Sequence, residues 1–193
     1  MKRLKVAMVG GLSKTDPGLD GSWEIWNING HQPWWVDGAR WARSFHLHHR
    51  ADLERDIPGH ARGYEWFCYQ HEQTKIYLLE RWKKIPRAEM FPRSALSRMQ
   101  RGNYHCGSFD WLVAFAVHLG AKEISLHGVG LNHEGGEPLS AGACLEYWCG
   151  YATGLGVRVT TDRDCGLFWN YRIVRDHKAY GYDSWDLVET MTK

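Results

Sequence analysis

The sequence predicts an α/β protein of the Rossmann-like class, with a mostly parallel sheet and helices on both faces. Two observations support this class. Short apolar runs, typical of buried strands, alternate along the chain with longer segments of helical character. Residues 106–131 then place a Gly-Ser turn, an apolar helix, a Gly-Ala break and a strand ending in glycines in succession. This order is that of half a nucleotide-binding layer, in which a helix N-terminus points free N–H groups at an anion.

The predicted strands follow one another from the N-terminus. Residues 4–9 form a central strand that stops at Gly10-Gly11. Residues 23–28 form a second strand, which ends in Asn29-Gly30, and residues 43–48 form a third, which carries imidazoles at its far end. The remaining predicted strands are residues 76–79, 123–127 and 157–160.

Three segments predict helices. Residues 109–119 are apolar on nearly all sides, which is typical of a helix buried against a sheet. Residues 140–154 form another helix, closed by glycines that act as a C-cap signal. A third helix is expected within residues 49–73, with loops around it. Residues 83–102 are basic and interrupted by two prolines, so they predict an irregular connection with one short helix.

The length of 193 residues suits one domain, residues 1–193, with an aromatic C-terminal extension from about residue 164. The net charge of +2 indicates neither a basic arm nor an acidic tail. The five cysteines include no C-x-x-C pair and no secretion signal is visible, so we expect reduced thiols and a cytoplasmic location. No apolar run approaches the roughly 20 residues that span a bilayer, so we expect no membrane contact.

The loop after the first strand is one candidate phosphate site. Gly10, Gly11 and Ser13 lie where open α/β folds place their sites, at the carboxyl edge of the sheet. Their spacing matches neither the dinucleotide fingerprint nor the Walker phosphate loop, and a tight connection is the alternative. Asn29, after the second strand, joins these predicted phosphate contacts.

The start of the buried helix is a second candidate phosphate site. Ser108 is a candidate N-cap, and Asp110 lies in the first turn, where negative charge offsets the helix dipole. An N-cap serine can also face a ligand. We therefore predict that Gly107 and Ser108 hold a phosphate group, with capping alone as the alternative.

A histidine cluster ends the third predicted strand. His46 and His48 fall on one face of that strand, which would suit two metal ligands, but no nearby Asp, Glu or Cys completes a set. We predict instead a hydrogen-bonding or acid–base role, with His48 as the catalytic residue. A solvated strand end is the alternative.

The strand 123–127 delivers two glycines, Gly128 and Gly130, which we expect to approach the same phosphate. The acidic loop that follows carries Glu134 and Glu137, which are candidate ligands of a divalent metal, Mg²⁺ or Mn²⁺. An ordinary solvated turn has the same composition. A divalent metal is the one cofactor that the sequence suggests.

Eleven tryptophans are unusual for this length. Trp23 and Trp26, on the second strand, are candidates for stacking on a base or sugar, and core packing is the alternative. The aromatic residues of the tail are compatible with a homo-oligomer and equally with a core role.

Several of these motifs together resemble known families. The helix–strand unit resembles the second half of the Rossmann-like domain of the hydroxymethylpterin-pyrophosphokinase-like family, through Gly107-Ser108, Ala114, Ala116, Gly120-Ala121, Ile124, Leu126 and Gly128. Related folds occur among bacterial sialyltransferases that use a nucleotide-sugar donor. Most of the chain is more similar still to uncharacterised tailed-phage Rossmann-like proteins, through residues 10–11, 23–29, 43–48, 120–130, 134–137, 150–156 and 180–181. This resemblance implies a nucleotide ligand and a host cytoplasmic location.

Two functions follow from the motifs and the resemblance. The first is a transferase that moves a glycosyl, pyrophosphoryl or nucleotidyl group from a nucleotide or nucleotide-sugar, with His48 as base or leaving-group acid. The second is a non-catalytic protein that sequesters a nucleotide signal. The proteins that this chain resembles finish the strand corresponding to residues 123–127 with Gly-x-Asp, whereas this chain has Gly130 in place of the Asp. The loss of that carboxylate favours the second function. Nucleic acid is the least favoured partner, because only the basic residues 81–101 point to it.

Overall fold

The structure, a computed structural model, describes residues 3–11, 13, 16–30, 36, 40–99, 104–129 and 139–162. It contains the strands β1 (Lys5–Val9), β2 (Trp23–Ile28), β3 (Trp41–His46), β4 (Lys75–Leu78), β5 (Glu89–Met90), β6 (Glu123–His127) and β7 (Arg158–Thr161). They form one sheet in the order β5-β4-β3-β2-β1-β6-β7. Every pairing between these strands is parallel, so the predicted Rossmann-like α/β class is confirmed.

The strands of a parallel sheet share one carboxyl edge, and β1 lies in the interior of this sheet. β1 is central, as predicted, because β2 pairs with it on one side and β6 on the other. The chain adds β2 to β5 in one direction from β1 and then adds β6 and β7 in the other. Open α/β sheets bind ligands outside the carboxyl ends of their strands, near such a reversal.

Five helices accompany the sheet in the described residues: α1 (Arg50–Asp56), α2 (His60–Gln70), α3 (Arg93–Ser97), α4 (Ser108–His118) and α5 (Leu139–Gly154). The single helix expected within residues 49–73 is two helices. Gly59, with φ of 85°, adopts the left-handed conformation at the N-cap of α2 and separates them. None of these helices is long and apolar enough to cross a membrane.

The two faces of the sheet carry separate cores. On one face, β1 and β6 contribute alternate apolar residues that pack with the buried sides of α4 and α5. On the other face, Val9 and Ile25 pack with α2, including Tyr64 and Phe67. Central parallel strands are buried on both faces, which explains their continuous apolar sequences.

The third strand and the basic segment differ from the prediction. β3 runs from Trp41 to His46, so His48 lies beyond the strand. Within residues 83–102, the expected short helix is α3, but a two-residue edge strand, β5, precedes it. A strand of two residues is too short to show any hydrophobic alternation.

Part of the basic segment has a structural use. The guanidinium group of Arg87 donates hydrogen bonds to the carbonyl oxygens of Cys68 and His71 at the end of α2, at 2.6 and 3.0 Å. Carbonyl groups in the last turn of a helix have no partner within the helix, so a cation placed there satisfies them.

Candidate functional site

A pocket of about 260 Å³ opens at the carboxyl edge of the sheet, and we call it the edge pocket. Its walls come from the chain after β3 and β4, the residues after β5, and the start of α4. It brings together His48, Gly107 and Ser108, three residues predicted to form the site. It adds Arg93, which lies in the segment predicted to be an irregular connection.

The start of α4 forms one wall of the edge pocket. Gly107 is the N-cap, in an extended conformation, so Ser108 is the first helical residue and not the predicted N-cap. The carboxylate of Asp110 accepts hydrogen bonds from the backbone N–H groups of Cys106 and Gly107, at 2.8 and 2.9 Å. The Ser108 hydroxyl is therefore not needed for capping.

A stacked column of side chains supports this wall. Nδ1 of His105 lies 3.0 Å from the second oxygen of Asp110, and both side chains are almost fully buried, at 1% and 0% exposure. The imidazole is stacked between Trp111, at 3.5 Å between ring centroids, and Trp148, at 4.7 Å. The guanidinium carbon of Arg93 lies over the ring of Trp111, 5.4 Å from the ring centroid. The column holds the cation of Arg93 beside the pocket.

The structure separates the histidines that the sequence groups together. His48 lines the edge pocket, whereas His46 is fully buried on the other side of the sheet, near Tyr64 and Trp82. Burial, and then the charges of His48 and His60, lower the pKa of His46 to about 3. His46 is therefore neutral at neutral pH, and only His48 of this pair reaches the pocket.

The predicted glycine cradle between β1 and β6 is closed. The N–H group of Gly10 donates to the carbonyl oxygen of His127 at 2.8 Å, and the N–H group of Gly128 donates to Asp162 at 2.8 Å. A Cβ atom at Gly10 would lie 2.4 Å from the carbonyl oxygen of Gly128. These glycines let two strand ends approach each other, so their amides do not fit the predicted phosphate contact. The amide of Gly107 is likewise used, by Asp110.

The other predicted phosphate contacts lie outside the edge pocket. Ser13 is buried and its N–H group donates to the carbonyl oxygen of Gly10 at 3.3 Å, while Gly11 is exposed. Asn29 has φ of 55°, and its buried Oδ1 has no hydrogen-bond partner in the part of the chain that the structure describes.

Neither tryptophan fits the stacking role predicted for it. Trp26 is fully buried, with its ring 5.0 Å from Phe45 and 5.7 Å from Phe115, so a ligand cannot reach it. Trp23 begins β2 and therefore lies at the amino edge, opposite the edge pocket, where Lys5 covers its ring. For Trp26, the alternative of core packing is correct.

Three predicted site residues, Gly130, Glu134 and Glu137, lie outside the described residues, as does the extension from residue 164. In the residues that are described, no group of three His, Cys, Asp or Glu side chains could hold a metal ion. The predicted divalent metal therefore stays a prediction.

Sequence reasoning missed His105 and Arg93. An acidic residue three positions after the N-cap residue is typical of a capping box, and the spacing of Asp110 from Gly107 could have identified Asp110 as a capping group. No local pattern indicates the stacking of His105, since Trp148 is contributed by α5, far along the chain.

Comparisons with known proteins show the fold. No family model matches the chain, and no curated protein sequence matches it. Among solved structures, the chain is similar to the sialyltransferase CstII from Campylobacter jejuni, determined in complex with the substrate analogue cytidine-5'-monophosphate (CMP). The similarity covers 84% of this chain and 80% of that one, with 14% sequence identity and a TM-score of 0.55. The resemblance to phage proteins and to pyrophosphokinases finds no support in these comparisons, whereas the sialyltransferase-like α/β fold is shown.

Proposed function

We propose that this chain binds a nucleotide or nucleotide-sugar in the edge pocket and transfers the glycosyl group of the nucleotide-sugar to an acceptor. The observation that carries the proposal is the meeting of His48, Arg93 and the first turn of α4 in one pocket at the carboxyl edge. His48 would supply the acid–base group of such a transfer, and Arg93 and the first turn of α4 would supply its phosphate contacts.

The phosphate group would be held by α4 and Arg93. The first N–H groups of a helix have no partner within the helix, and the helix dipole adds positive potential at that end. The Ser108 hydroxyl lies in the same wall, and the guanidinium group of Arg93 supplies a full positive charge. Donors of these kinds stabilise the negative charge that develops on a departing phosphate.

His48 would act on the acceptor. A neutral imidazole can take the proton of an acceptor hydroxyl while the hydroxyl oxygen bonds to the anomeric carbon of the sugar. The bond between that carbon and the phosphate oxygen breaks, and the nucleotide leaves with the electron pair. Holding both reactants in one pocket would supply a large part of the rate.

The comparison structure suggests the first ligand to test. CstII is a sialyltransferase whose structure was determined with CMP. At 14% identity the two chains share a fold and not an established ligand, so CMP enters here as a probe.

Sequestration of a nucleotide without catalysis remains the second candidate. One observation favours it: the described residues that line the edge pocket include no carboxylate. A binding protein needs a phosphate site and no acid–base group, so it would tolerate the loss of His48.

Calorimetric titration with CMP tests the proposal, with turnover of a panel of nucleotide-sugars followed by mass spectrometry. We expect CMP to bind, and Arg93→Gln to weaken binding about tenfold through the loss of a charge-assisted contact. Arg62→Gln, at an exposed arginine of α2, serves as the matched control.

The His48→Ala variant separates the two functions. Loss of turnover with retained CMP binding supports the transferase. Nucleotide-sugars recovered unchanged from the wild-type protein would support sequestration. No binding of CMP or of any nucleotide-sugar would refute both.

A further inference from the structure

A second pocket, of about 450 Å³, lies beside the edge pocket, and we call it the side pocket. The two pockets share three lining residues, Leu79, Phe91 and Arg93. The neighbouring histidines divide between them, since His48 lines the edge pocket and His49 lines the side pocket. The two spaces are therefore adjacent compartments of one groove, and this shared wall is the border between them.

The side pocket combines an apolar surface with positive charge. Leu79, Met90 and Phe91 supply apolar area, and Met90 is 48% exposed despite its size. Arg93 and Arg98 are exposed, and neither forms an ion pair with a carboxylate among the described residues. Exposed apolar surface beside unpaired arginines suits a ligand with an anionic group next to an apolar portion.

The nearby carboxylate of Glu80 does not neutralise the charges of Arg93 and Arg98. His49 lies 3.5 Å from Glu80, but Glu80 does not line the side pocket. The Glu80 carboxylate also accepts a hydrogen bond from the N–H group of Arg50 at 2.8 Å, at the start of α1. Its position is thus fixed toward α1, and the two arginines face the pocket without a carboxylate in its lining.

We propose that the side pocket is the acceptor site of the transferase, and that it binds an anionic acceptor carrying an apolar portion while the nucleotide occupies the edge pocket. This inference rests on the proposed function. Its reaction is the one already described: the acceptor oxygen bonds to the sugar, the nucleotide leaves with the bonding electrons, and His48 takes the proton. Arg98 lines the side pocket and is not among the residues that line the edge pocket, so it serves the acceptor alone.

The test uses phenyl phosphate, an anion with an apolar ring, titrated into the protein after saturation with CMP. We expect phenyl phosphate to bind to the CMP-saturated protein, and methyl phosphate to bind more weakly because it lacks the ring. Arg98→Gln should weaken phenyl phosphate binding about five- to tenfold, the loss of one charge-assisted contact, and should leave CMP affinity unchanged. Arg62→Gln should change neither affinity.

Three results would overturn the inference. Phenyl phosphate could compete with CMP, which would show one site in place of two. Arg98→Gln could match Arg62→Gln, which would show that the side pocket does not hold the anion. Binding of phenyl phosphate through Arg98 without any binding of CMP or nucleotide-sugars would show an anion site that is not an acceptor site. Only this last result also refutes the proposed function, so the two failures are distinguishable.

Discussion

Replacement of Asp110 by alanine is expected to destabilise the protein and to release the wall of the edge pocket. Its carboxylate accepts hydrogen bonds from the N–H groups of Cys106 and Gly107 and pairs with Nδ1 of His105. Alanine would leave all three donors without this partner. The loop that carries them forms the pocket wall in front of Ser108.

The expected loss follows from the burial of each donor. A buried donor left without a partner costs about 1–3 kcal/mol. The His105 side chain is 1% exposed and should bear the full cost, whereas the amides of Cys106 and Gly107 belong to residues that water partly reaches. We therefore expect Asp110→Ala to lower the free energy of unfolding by about 2–5 kcal/mol.

Asparagine at the same position should cost less. Its one carbonyl oxygen can accept both backbone amides, and its NH₂ group can donate to Nδ1 of His105 if the imidazole proton moves to Nε2. The hydrogen bonds survive but lose the assistance of the negative charge. We expect Asp110→Asn to cost about 1–2 kcal/mol.

Urea denaturation of the wild type, Asp110→Ala and Asp110→Asn measures these differences, with Glu72→Ala at an exposed position as the control. Asp110→Ala within about 0.5 kcal/mol of the wild type would refute the reasoning, because surface substitutions have effects of that size. Equal losses for the two Asp110 variants would show that the hydrogen bonds are not the cause.

Three further predictions concern His46, Gly10 and two of the cysteines. The pKa of His46 is about 3 in the folded protein and about 6.5 in the unfolded chain. The free energy of unfolding should therefore fall as the pH drops below 6.5, by about 2 kcal/mol at pH 5. Unfolding of His46→Phe, measured at pH 7.5 and at pH 5, should lack this part of the loss. Gly10→Ala should lower the free energy of unfolding by about 1–3 kcal/mol, because its Cβ would lie 2.4 Å from a backbone oxygen. Gly107→Ala should cost less, because the nearest atom to its Cβ would lie at an ordinary contact distance of 3.6 Å. Equal midpoints of urea denaturation for the two variants would contradict this difference. In the native protein, iodoacetamide should alkylate the exposed Cys106 and spare the buried Cys144, whose pKa burial raises to about 12; peptide mass spectrometry showing equal labelling would refute it.

The central part of the fold could be predicted because its strands carry their own signal. The predicted bounds of β2 and β6 are the observed ones, since turn residues follow both strands, Asn29-Gly30 after β2 and Gly128 after β6. β5 has two exposed residues at the edge of the sheet, and its pairing with β4 depends on tertiary contacts that no local pattern records.

The candidate site could be predicted only in part. His48, Gly107 and Ser108 do meet in one pocket, because parallel strands and the following helices bring their ends to a common edge. The use of the backbone amides could not be predicted, since the partners of Gly10 and Gly128 are His127 and Asp162, which are distant in sequence. A glycine required for close approach of two strand ends has the same sequence signature as one required by a ligand.

The most direct test of the account is an amide NMR titration that compares CMP with cytidine, which lacks the phosphate group. If the first turn of α4 binds the phosphate group, CMP shifts the amide resonances of Ser108 and Phe109, which lie in that turn, and cytidine at the same concentration does not. Unchanged resonances at both positions under saturating CMP would contradict it.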